Sequence, residues 1–430
     1  MSSPLRFHSR WRRLAARAVA FAWGAVSALS AQEVFREVTY SYGAPPTKHF
    51  AELDPETKRV FTGEHAGMAK LVRHAAKPVK LDLDEATRAE LSVEYWGGHI
   101  GTAGQRFRVN EQAWIDLPQP SGTPKEPQRY YRTLHGNNAV ALPLDSLRNG
   151  ENVFRFAAGK QIAYSFDWGF YWIYDFTARV YYEGAKKPHP TGEVILPKAG
   201  TTFDDILRLE ARVESPNGAI VRVEFIGEYD DFDWDGDGVW REWQYSTHHG
   251  VLAHHLGTVT SAPWMLKFDA RWLPDQSQPM RVRARITDTT GLTYLTPPVG
   301  EIVQQRKHRG VRMIKPDVVP ERWAARNGQE SAKGSLVLTE ADLEGATFAR
   351  LVISTWSADV DDTSVHELRL NGEALAGRFG EFHNYDHDAL EVPLARLKPG
   401  RNELSAYSTF KGHMLEINWP GPALLIEYKK

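Results

Sequence analysis

The chain of 430 residues contains no cysteine. Disulfide bonds, thiolate metal sites, a thiol nucleophile and lipid attachment through cysteine are therefore excluded. The sequence also lacks the G-x-S-x-G motif, a phosphate-cradling glycine loop and a dinucleotide-binding fingerprint. Its formal net charge is −2, so it has no basic excess with which to bind nucleic acid. No catalytic signature stands out.

The N-terminus is basic and then apolar, which is the pattern of a secretory signal peptide. Residues 1–31 contain five arginines and no acidic residue, and an apolar run at residues 18–29 ends beside Ser30 and Ala31. We expect residues 1–31 to be a signal peptide and the mature chain to be secreted or periplasmic. After cleavage no integral membrane segment is expected. The mature chain then has a formal charge of −2 − 5 = −7.

Residues 230–237 contain five aspartates. Alternating carboxylates can surround one hard cation, and a glycine lets the chain turn beneath it. The run from Asp231 to Glu242 matches the calcium-loop pattern D-x-[DN]-x-[DN]-G-x5-E. A second register that starts at Asp233 places Gln244 where the bidentate glutamate belongs, so the first register is preferred. The predicted calcium ligands are Asp231, Asp233, Asp235, Asp237 and Glu242.

The segment that precedes this loop, residues 220–226, alternates like a strand and not like the incoming helix of an EF-hand. The sequence therefore predicts a calcium loop between strands. The alternative is a solvated acidic turn without an ion, in which the carboxylates would repel one another.

Two segments on either side of the loop repeat one another, which indicates an internal duplication. Trp96 and Trp356 fall at matching places in the two copies and are expected to pack inside the fold. The corresponding ranges are 91–96 with 351–356, 108–110 with 369–371, 143–154 with 393–404, 167–168 with 418–419, and 178–182 with 424–428.

Three short motifs of the second copy resemble galactose-binding-like jelly rolls. They are Leu-Asn-Gly-Glu at 370–373, Val-Pro-Leu at 392–394 and Leu-Lys-Pro-Gly-Arg-Asn at 397–402. Such domains occur in β-galactosidase-type hydrolases and as carbohydrate-binding modules. The resemblance implies jelly-roll sandwiches at residues 32–186 and 311–430.

Residues 190–305 resemble the immunoglobulin-like sandwiches of secreted bacterial carbohydrate-active proteins. The resemblance is carried by Val223-Glu224-Phe225 and Leu256-Gly257-Thr258, which the inserted acidic loop at 228–256 separates. The predicted fold class is thus all-β, a multidomain β-sandwich with two jelly rolls flanking an immunoglobulin-like sandwich. The 34 glycines and 25 prolines agree with β structure.

Aromatic side chains stack on the apolar faces of sugars, so they are the candidates for glycan binding. The alternative for each is packing in a core or at a domain seam, where large aromatics are common. The candidates are Trp234, Trp240 and Trp243 in the inserted loop, Tyr171 and Trp172 in the first jelly roll, and His383 and Tyr385 in the last.

Three functions fit these features. The first is a secreted, non-catalytic carbohydrate-binding protein with a calcium-ordered central loop and a polysaccharide or glycan as partner. The second is a polysaccharide-degrading enzyme, either a lyase or a glycoside hydrolase, for which the sequence does not pair any catalytic carboxylates. The third is a structural or adhesive cell-surface protein.

Overall fold

Alternating apolar and polar side chains form strands throughout the part of the chain that the structure describes. In Ile206–Glu214, for example, Leu207, Leu209 and Ala211 are buried and the side chains between them face outward, which is the period of a half-buried strand. Strands in several packed sheets dominate the described residues. This confirms the predicted all-β, multidomain β-sandwich.

The structure is a computed structural model, and the predicted signal peptide and His383 lie outside the residues that it describes. Of the described residues, no helix is long and apolar enough to cross a membrane. The described residues are 33–41, 60–62, 78–119, 128–135, 139–159, 171–248, 250–357, 364–377, 379–380, 384–411 and 414–430.

The N-terminal sandwich packs two sheets around a core that includes Leu91, Phe107, Phe154 and Phe176. One sheet has the order β3-β9-β5-β6, and in the other β4 lies beside β10. A 3-10 turn spans Leu144–Ser146. The strands are β1 (Glu33–Ser41), β2 (Val60–Thr62), β3 (Pro78–Leu81), β4 (Ala86–Trp96), β5 (Arg106–Val109), β6 (Ile115–Asp116), β7 (Thr133–Leu134), β8 (Val140–Leu142), β9 (Gly150–Ala157) and β10 (Tyr171–Tyr182).

The middle sandwich packs a three-stranded sheet, β11-β13-β19, against strands that include β14 and β20. Its strands up to the insertion are β11 (Thr191–Leu196), β12 (Thr202–Phe203), β13 (Ile206–Glu214) and β14 (Ile220–Asp230). The later strands are β18 (Gly257–Val259), β19 (Met265–Asp269), β20 (Met280–Asp288), β21 (Leu292–Leu295) and β22 (Val299–Gln304).

Strand β1 joins the first two sandwiches, because it pairs with β10 on one side and with β21 on the other. Phe35 lies opposite Tyr181 in the first pairing and opposite Thr293 in the second. One sheet of thirteen strands therefore runs through both sandwiches. The relative position of the two sandwiches is fixed by backbone hydrogen bonds and not only by side-chain packing.

The acidic insertion, residues 228–256, leaves the middle sandwich at the end of β14 and returns at β18, and both strands pair with each other. Within it, β15 continues the pairing with β14, and β16 and β17 form a separate hairpin. The strands of the insertion are β15 (Arg241–Gln244), β16 (Ser246–His248) and β17 (Val251–Ala253).

The C-terminal sandwich has a six-stranded and a five-stranded sheet around its own core. It also contains a short helix, α1 (Glu340–Leu343), and a 3-10 turn at Leu394–Arg396. Its strands are β23 (Arg309–Ile314), β24 (Ala324–Ala325), β25 (Gln329–Glu330), β26 (Gly334–Leu338), β27 (Ala346–Ser357), β28 (His366–Leu370), β29 (Glu373–Ala374), β30 (Asn384–Glu391), β31 (Gly400–Ser408), β32 (Leu415–Ile417) and β33 (Ala423–Lys429).

The duplication is visible in a buried pair of asparagines that recurs in both outer sandwiches. The Asn110 side chain donates to Asn152 Oδ1 at 2.8 Å, and that of Asn371 donates to Asn402 Oδ1 at 3.0 Å. Asn110 and Asn371 both have a positive φ, of 50° and 54°. The repeated motif residues thus hold turns together in both copies.

The two copies meet face to face at the repeated tryptophans. The rings of Trp96 and Trp356 are 5.6 Å apart, and Trp172 packs against both. The Trp96 indole donates to Glu416 at 2.8 Å, and the Trp356 indole donates to the Tyr174 hydroxyl at 3.0 Å. The equivalent positions therefore form a buried aromatic seam between the outer sandwiches.

Candidate functional site: a three-domain seam around the acidic insertion

The insertion contacts the N-terminal sandwich through its backbone. The amide of His135 donates to the carbonyl of Asp235 at 3.0 Å, and the amide of Thr247 donates to the carbonyl of His135. Gly236 has a φ of 77°, and a Cβ there would lie 2.2 Å from the Thr133 carbonyl oxygen. Only glycine combines this conformation with so close an approach.

The insertion contacts the C-terminal sandwich through Phe232. This side chain is buried among Val311, Val352 and Leu425. Trp234 and Trp240 pack edge-on against its ring, at 5.0 and 5.7 Å between centroids. The acidic insertion therefore lies where all three sandwiches meet.

Four carboxylates converge at the centre of the insertion. Ligand atoms of Asp233, Asp235, Asp237 and Glu242 all lie within 4.8 Å of one another. Burial raises the pKa of Asp235 well above its ordinary value, and the neighbouring Glu242, Asp233 and Asp237 raise it further. Burial likewise raises the pKa of Asp233. Removing these charges from water is costly unless a cation compensates them.

The four carboxylates fit a hard cation such as Ca²⁺, which takes carboxylate oxygens as ligands. Asp235 is 1% exposed, and its Oδ2 has no hydrogen-bond partner within the described residues. Asp233 is held in place by the amides of Gly236 and Gly238, at 2.9 and 2.7 Å. The cluster thus has a fixed shape and an oxygen that lacks a donor.

Asp231 lies outside this group, although the preferred register placed it first among the ligands. Its amide donates to the Trp240 carbonyl at 2.9 Å, so Asp231 extends the β14–β15 ladder and precedes the turn. Its carboxylate accepts a hydrogen bond from the Trp234 indole at 2.9 Å. The three aspartates that converge, Asp233, Asp235 and Asp237, are those of the second register. The fourth carboxylate comes from Glu242, where the second register has Gln244 at its last position.

Two predicted ligand aromatics are buried in packing. Tyr171 is 0% exposed and its hydroxyl donates to the Arg106 carbonyl at 3.0 Å. Trp172 is 5% exposed and lies in the aromatic seam between Trp96 and Trp356. Neither ring presents a face to solvent, and Trp172 follows the alternative given for these aromatics, packing at a domain seam. The sequence pattern did not reveal that this strand is covered on both faces.

The three tryptophans of the insertion are half-buried, and each has its own partner. Trp234 stacks on His254 with ring centroids 4.0 Å apart and planes 7° from parallel. Trp240 lies beneath the ammonium group of Lys315, at 4.6 Å. The guanidinium group of Arg283 covers Trp243 at 3.8 Å. Trp234 alone among these three lines one of the two cavities described next.

A cleft of about 260 Å³ lies between the middle sandwich, the insertion and the C-terminal sandwich. We call it the seam cleft. Trp234 and Trp272 provide aromatic rings, Asp231 and Asp269 provide carboxylates, and Arg350 provides a cation. The Arg350 guanidinium group lies 4.2 Å from the centre of the Trp272 ring.

Two buried polar atoms of the seam cleft have no hydrogen-bond partner within the described residues: Arg350 Nε and His255 Nδ1. Burial lowers the pKa of Arg350 to about 10, although Asp231 and Asp269 oppose this shift. Arg350 therefore remains a cation at neutral pH. The cleft thus combines a cation, carboxylates and aromatic rings, a combination that suits a ligand rich in hydroxyl or carboxylate oxygens.

A second cavity, of about 170 Å³, lies on the other side of His254. We call it the histidine cavity. His248, His254 and His387 line it together with Tyr385 and Asp386. Tyr385, which was predicted to stack on ligand, is 3% exposed, and its hydroxyl is hydrogen-bonded to His248 Nδ1.

A buried carboxyl pair lies beneath the histidine cavity. Glu94 on β4 and Asp175 on β10 are 1% and 2% exposed, and Glu94 Oε1 is 3.4 Å from His248 Nδ1. Burial raises the pKa of Asp175 well above its ordinary value, and Glu94 raises it further through its charge and a hydrogen bond. Burial and the neighbouring carboxyl group thus both favour the neutral form of Asp175.

Sequence reasoning singled out Asp231, Trp234 and Tyr385, which line the cavities, but it missed other residues around them. Trp272, Asp269 and Arg350 stand singly in strand and turn segments, and Glu94 and Asp175 are 81 positions apart (175 − 94). One signal was available, since acidic residues at strand positions on a buried face call for an explanation. The pairing of the strands could not be read from the sequence.

No protein-family model and no curated protein matches the chain. Among solved structures, the fibronectin(III)-like modules of Clostridium thermocellum CbhA share 14% identity and a TM-score of 0.18, over 53% of this chain and 91% of that one. A β-porphyranase of glycoside hydrolase family 86 from Bacteroides plebeius shares 12% identity and a TM-score of 0.22, over 57% of this chain and 37% of that one. A GH86 protein in complex with neoagarooctaose shares 10% identity and a TM-score of 0.23, over 58% of this chain and 34% of that one. The chain thus spans little more than a third of either GH86 structure, and TM-scores this low carry no argument about its function.

Proposed function

We propose that this chain is an exported carbohydrate-binding protein whose glycan site is the seam cleft and whose acidic insertion is ordered by calcium. Export rests on the predicted signal peptide at residues 1–31. The glycan site rests on one observation, that the cleft combines aromatic rings with charged side chains of both signs. Trp272 offers a ring for the apolar face of a sugar, and the Arg350 guanidinium group and the Asp269 carboxylate offer partners for its hydroxyl groups.

The calcium proposal follows from the position of the carboxylate cluster. The same insertion supplies Asp231, Trp234 and His255 to the seam cleft and Phe232 to the C-terminal sandwich. A cation held by Asp233, Asp235, Asp237 and Glu242 would fix the loop from which these side chains project. Calcium removal should therefore weaken glycan binding as well as lower stability.

The glycan proposal is tested by electrophoresis through gels that contain plant or algal polysaccharides, with calcium and with chelator. We expect retardation on at least one polymer, loss of retardation with chelator, and loss in the Trp272→Ala variant. Trp114→Ala is the matched control, because Trp114 lies against Arg106 and Arg108 of the N-terminal sandwich, away from the cleft. Equal retardation of the Trp272→Ala variant and the parent chain would exclude the seam cleft as the site.

The calcium proposal is tested separately by thermal unfolding. A site that is filled to about 100 times its dissociation constant stabilises the folded chain by ~2.7 kcal/mol. Calcium should raise the melting temperature of the parent chain and of the Asp145→Asn control, whose side chain lies on an exposed turn. Asp235→Asn should abolish that rise. A calcium effect that persists in Asp235→Asn would refute the ligand assignment.

A further inference from the structure

We propose that the histidine cavity is a proton-transfer site that cleaves a uronate-containing glycan by β-elimination, with Tyr385 and His248 as the catalytic pair. This inference rests on the proposed glycan binding at the seam cleft. His254 lines both cavities, so the two lie next to one another on either side of one side chain.

The geometry of the pair is that of an acid–base relay. The Tyr385 hydroxyl is hydrogen-bonded to His248 Nδ1, and Glu94 lies 3.4 Å from the same nitrogen. Tyr385 and His248 line the cavity, whereas Glu94 does not. A hydroxyl that is hydrogen-bonded to an imidazole can exchange a proton with it, and the negative charge of a carboxylate close to that nitrogen favours the protonated imidazole.

The backbone is irregular at the point where it supplies this carboxyl pair. Between Ile173 and Asp175, strand β10 contains an extra residue, Tyr174, relative to β4. The bulge places Asp175 opposite Glu94, next to Tyr174, whose ring packs 5.2 Å from Tyr385. Bulges often re-aim side chains beside active sites. A buried acid pair contributes little to packing, so its presence under the cavity favours a functional role.

Elimination fits the cavity better than hydrolysis. Glycoside hydrolysis requires two carboxyl groups that face each other across the sugar, but Glu94 and Asp175 contact one another beneath the cavity. The cavity itself is lined by one carboxylate, that of Asp386, together with a hydroxyl and the imidazoles of His248, His254 and His387, so no pair of carboxyl groups faces a sugar there. The N–H groups of these imidazoles can bond the carboxylate of a uronate, which acidifies the neighbouring C5–H bond.

The step needs no further reactant. The base, Tyr385 as phenolate or His248 as neutral imidazole, takes the proton from C5. The C–H electrons form the C4=C5 double bond, the bond from C4 to the glycosidic oxygen breaks, and that oxygen takes a proton from the acidic partner. Glu94 and Asp175 act as positioning residues, because the charge of Glu94 beside Nδ1 favours protonation of His248 and Asp175 lies against Glu94.

The test uses the full chain with calcium and a panel of uronate polymers, namely polygalacturonate, alginate and glucuronan, with a neutral β-glucan beside them. We expect ultraviolet absorbance from the unsaturated uronate with at least one uronate polymer and none with the neutral one. Tyr385→Phe should lower the rate about 10²- to 10⁴-fold, while Tyr407→Phe, a matched change in the C-terminal sandwich, should leave it unchanged. Glu94→Gln should shift the pH–rate profile, which a purely structural role would not do.

The outcomes separate the two proposals. Retardation on a uronate gel without any cleavage would overturn the elimination site and leave glycan binding intact. New reducing ends without the ultraviolet absorbance would show hydrolysis and would also overturn it. An unchanged rate in Tyr385→Phe would remove the tyrosine from the mechanism. Absence of both retardation and cleavage would contradict the proposed function itself.

Discussion

Replacing Gly236 with alanine probes how the insertion docks on the N-terminal sandwich. At a φ of 77° an alanine costs ~1–2 kcal/mol in backbone strain. Its Cβ would also lie 2.2 Å from the Thr133 carbonyl oxygen, and a backbone oxygen cannot rotate away. The loop must therefore withdraw, which breaks the hydrogen bond from His135 to Asp235 and costs ~0.5–1.5 kcal/mol more. The expected loss is ~2–3 kcal/mol in all.

The matched control is Gly400→Ala. Gly400 has a φ of 86°, and nothing lies within 4 Å of its added Cβ, so this variant measures backbone strain alone, at ~1–2 kcal/mol. Urea unfolding followed by circular dichroism compares the midpoints of the two variants with the parent chain. Gly236→Ala should unfold at clearly lower urea than Gly400→Ala. Equal midpoints would refute the close contact between the insertion and β7.

Two further stability predictions follow from buried groups. Phe232→Ala should cost ~3–5 kcal/mol, because the ring is buried against the C-terminal sandwich. The half-buried Phe410 serves as the Phe→Ala control, and a melting temperature no lower than that of the control would contradict the docking of Phe232. Burial raises the pKa of Glu37, but Arg285 and Arg179 outweigh burial and lower it from 4.5 to about 2. Glu37 should therefore contribute about 3 kcal/mol above pH 4.5 and lose this contribution as the pH falls towards 2. Urea midpoints at pH 6 and pH 3 should differ less in Glu37→Gln, and an unaltered pH dependence would argue against this ion pair.

The sequence was sufficient to predict the fold class, because alternation with a period of two is a local property. The duplication was equally accessible, and the paired asparagines explain why: Asn110 and Asn371 must adopt a positive φ and bond a second asparagine in each copy. The convergence of Asp233, Asp235, Asp237 and Glu242 was predictable too, since these residues belong to one short loop.

The remaining parts of the site depend on which strands become neighbours. Asp231 lies outside the carboxylate group because the β14–β15 ladder continues for one more residue and includes it. The periodicity of the sequence does not show where that ladder ends. Ligand stacking and packing at a domain seam were both open for Trp172, and the sequence could not show that it packs against Trp356 of the second copy. Trp272 and Arg350 line one cleft only because the middle and C-terminal sandwiches meet there.

Binding of a glycan in the seam cleft is tested most sharply by calorimetric titration. The full chain, in calcium, is titrated with an oligosaccharide of whichever polymer retards it. We expect one binding site per chain. The affinity should fall at least tenfold, ~1.4 kcal/mol, in Trp272→Ala and should not change in Trp114→Ala. Chelator should weaken binding to the parent chain in the same direction. Full affinity in Trp272→Ala would contradict the claim that the glycan occupies the seam cleft, and full affinity in chelator would contradict its dependence on the calcium-ordered insertion.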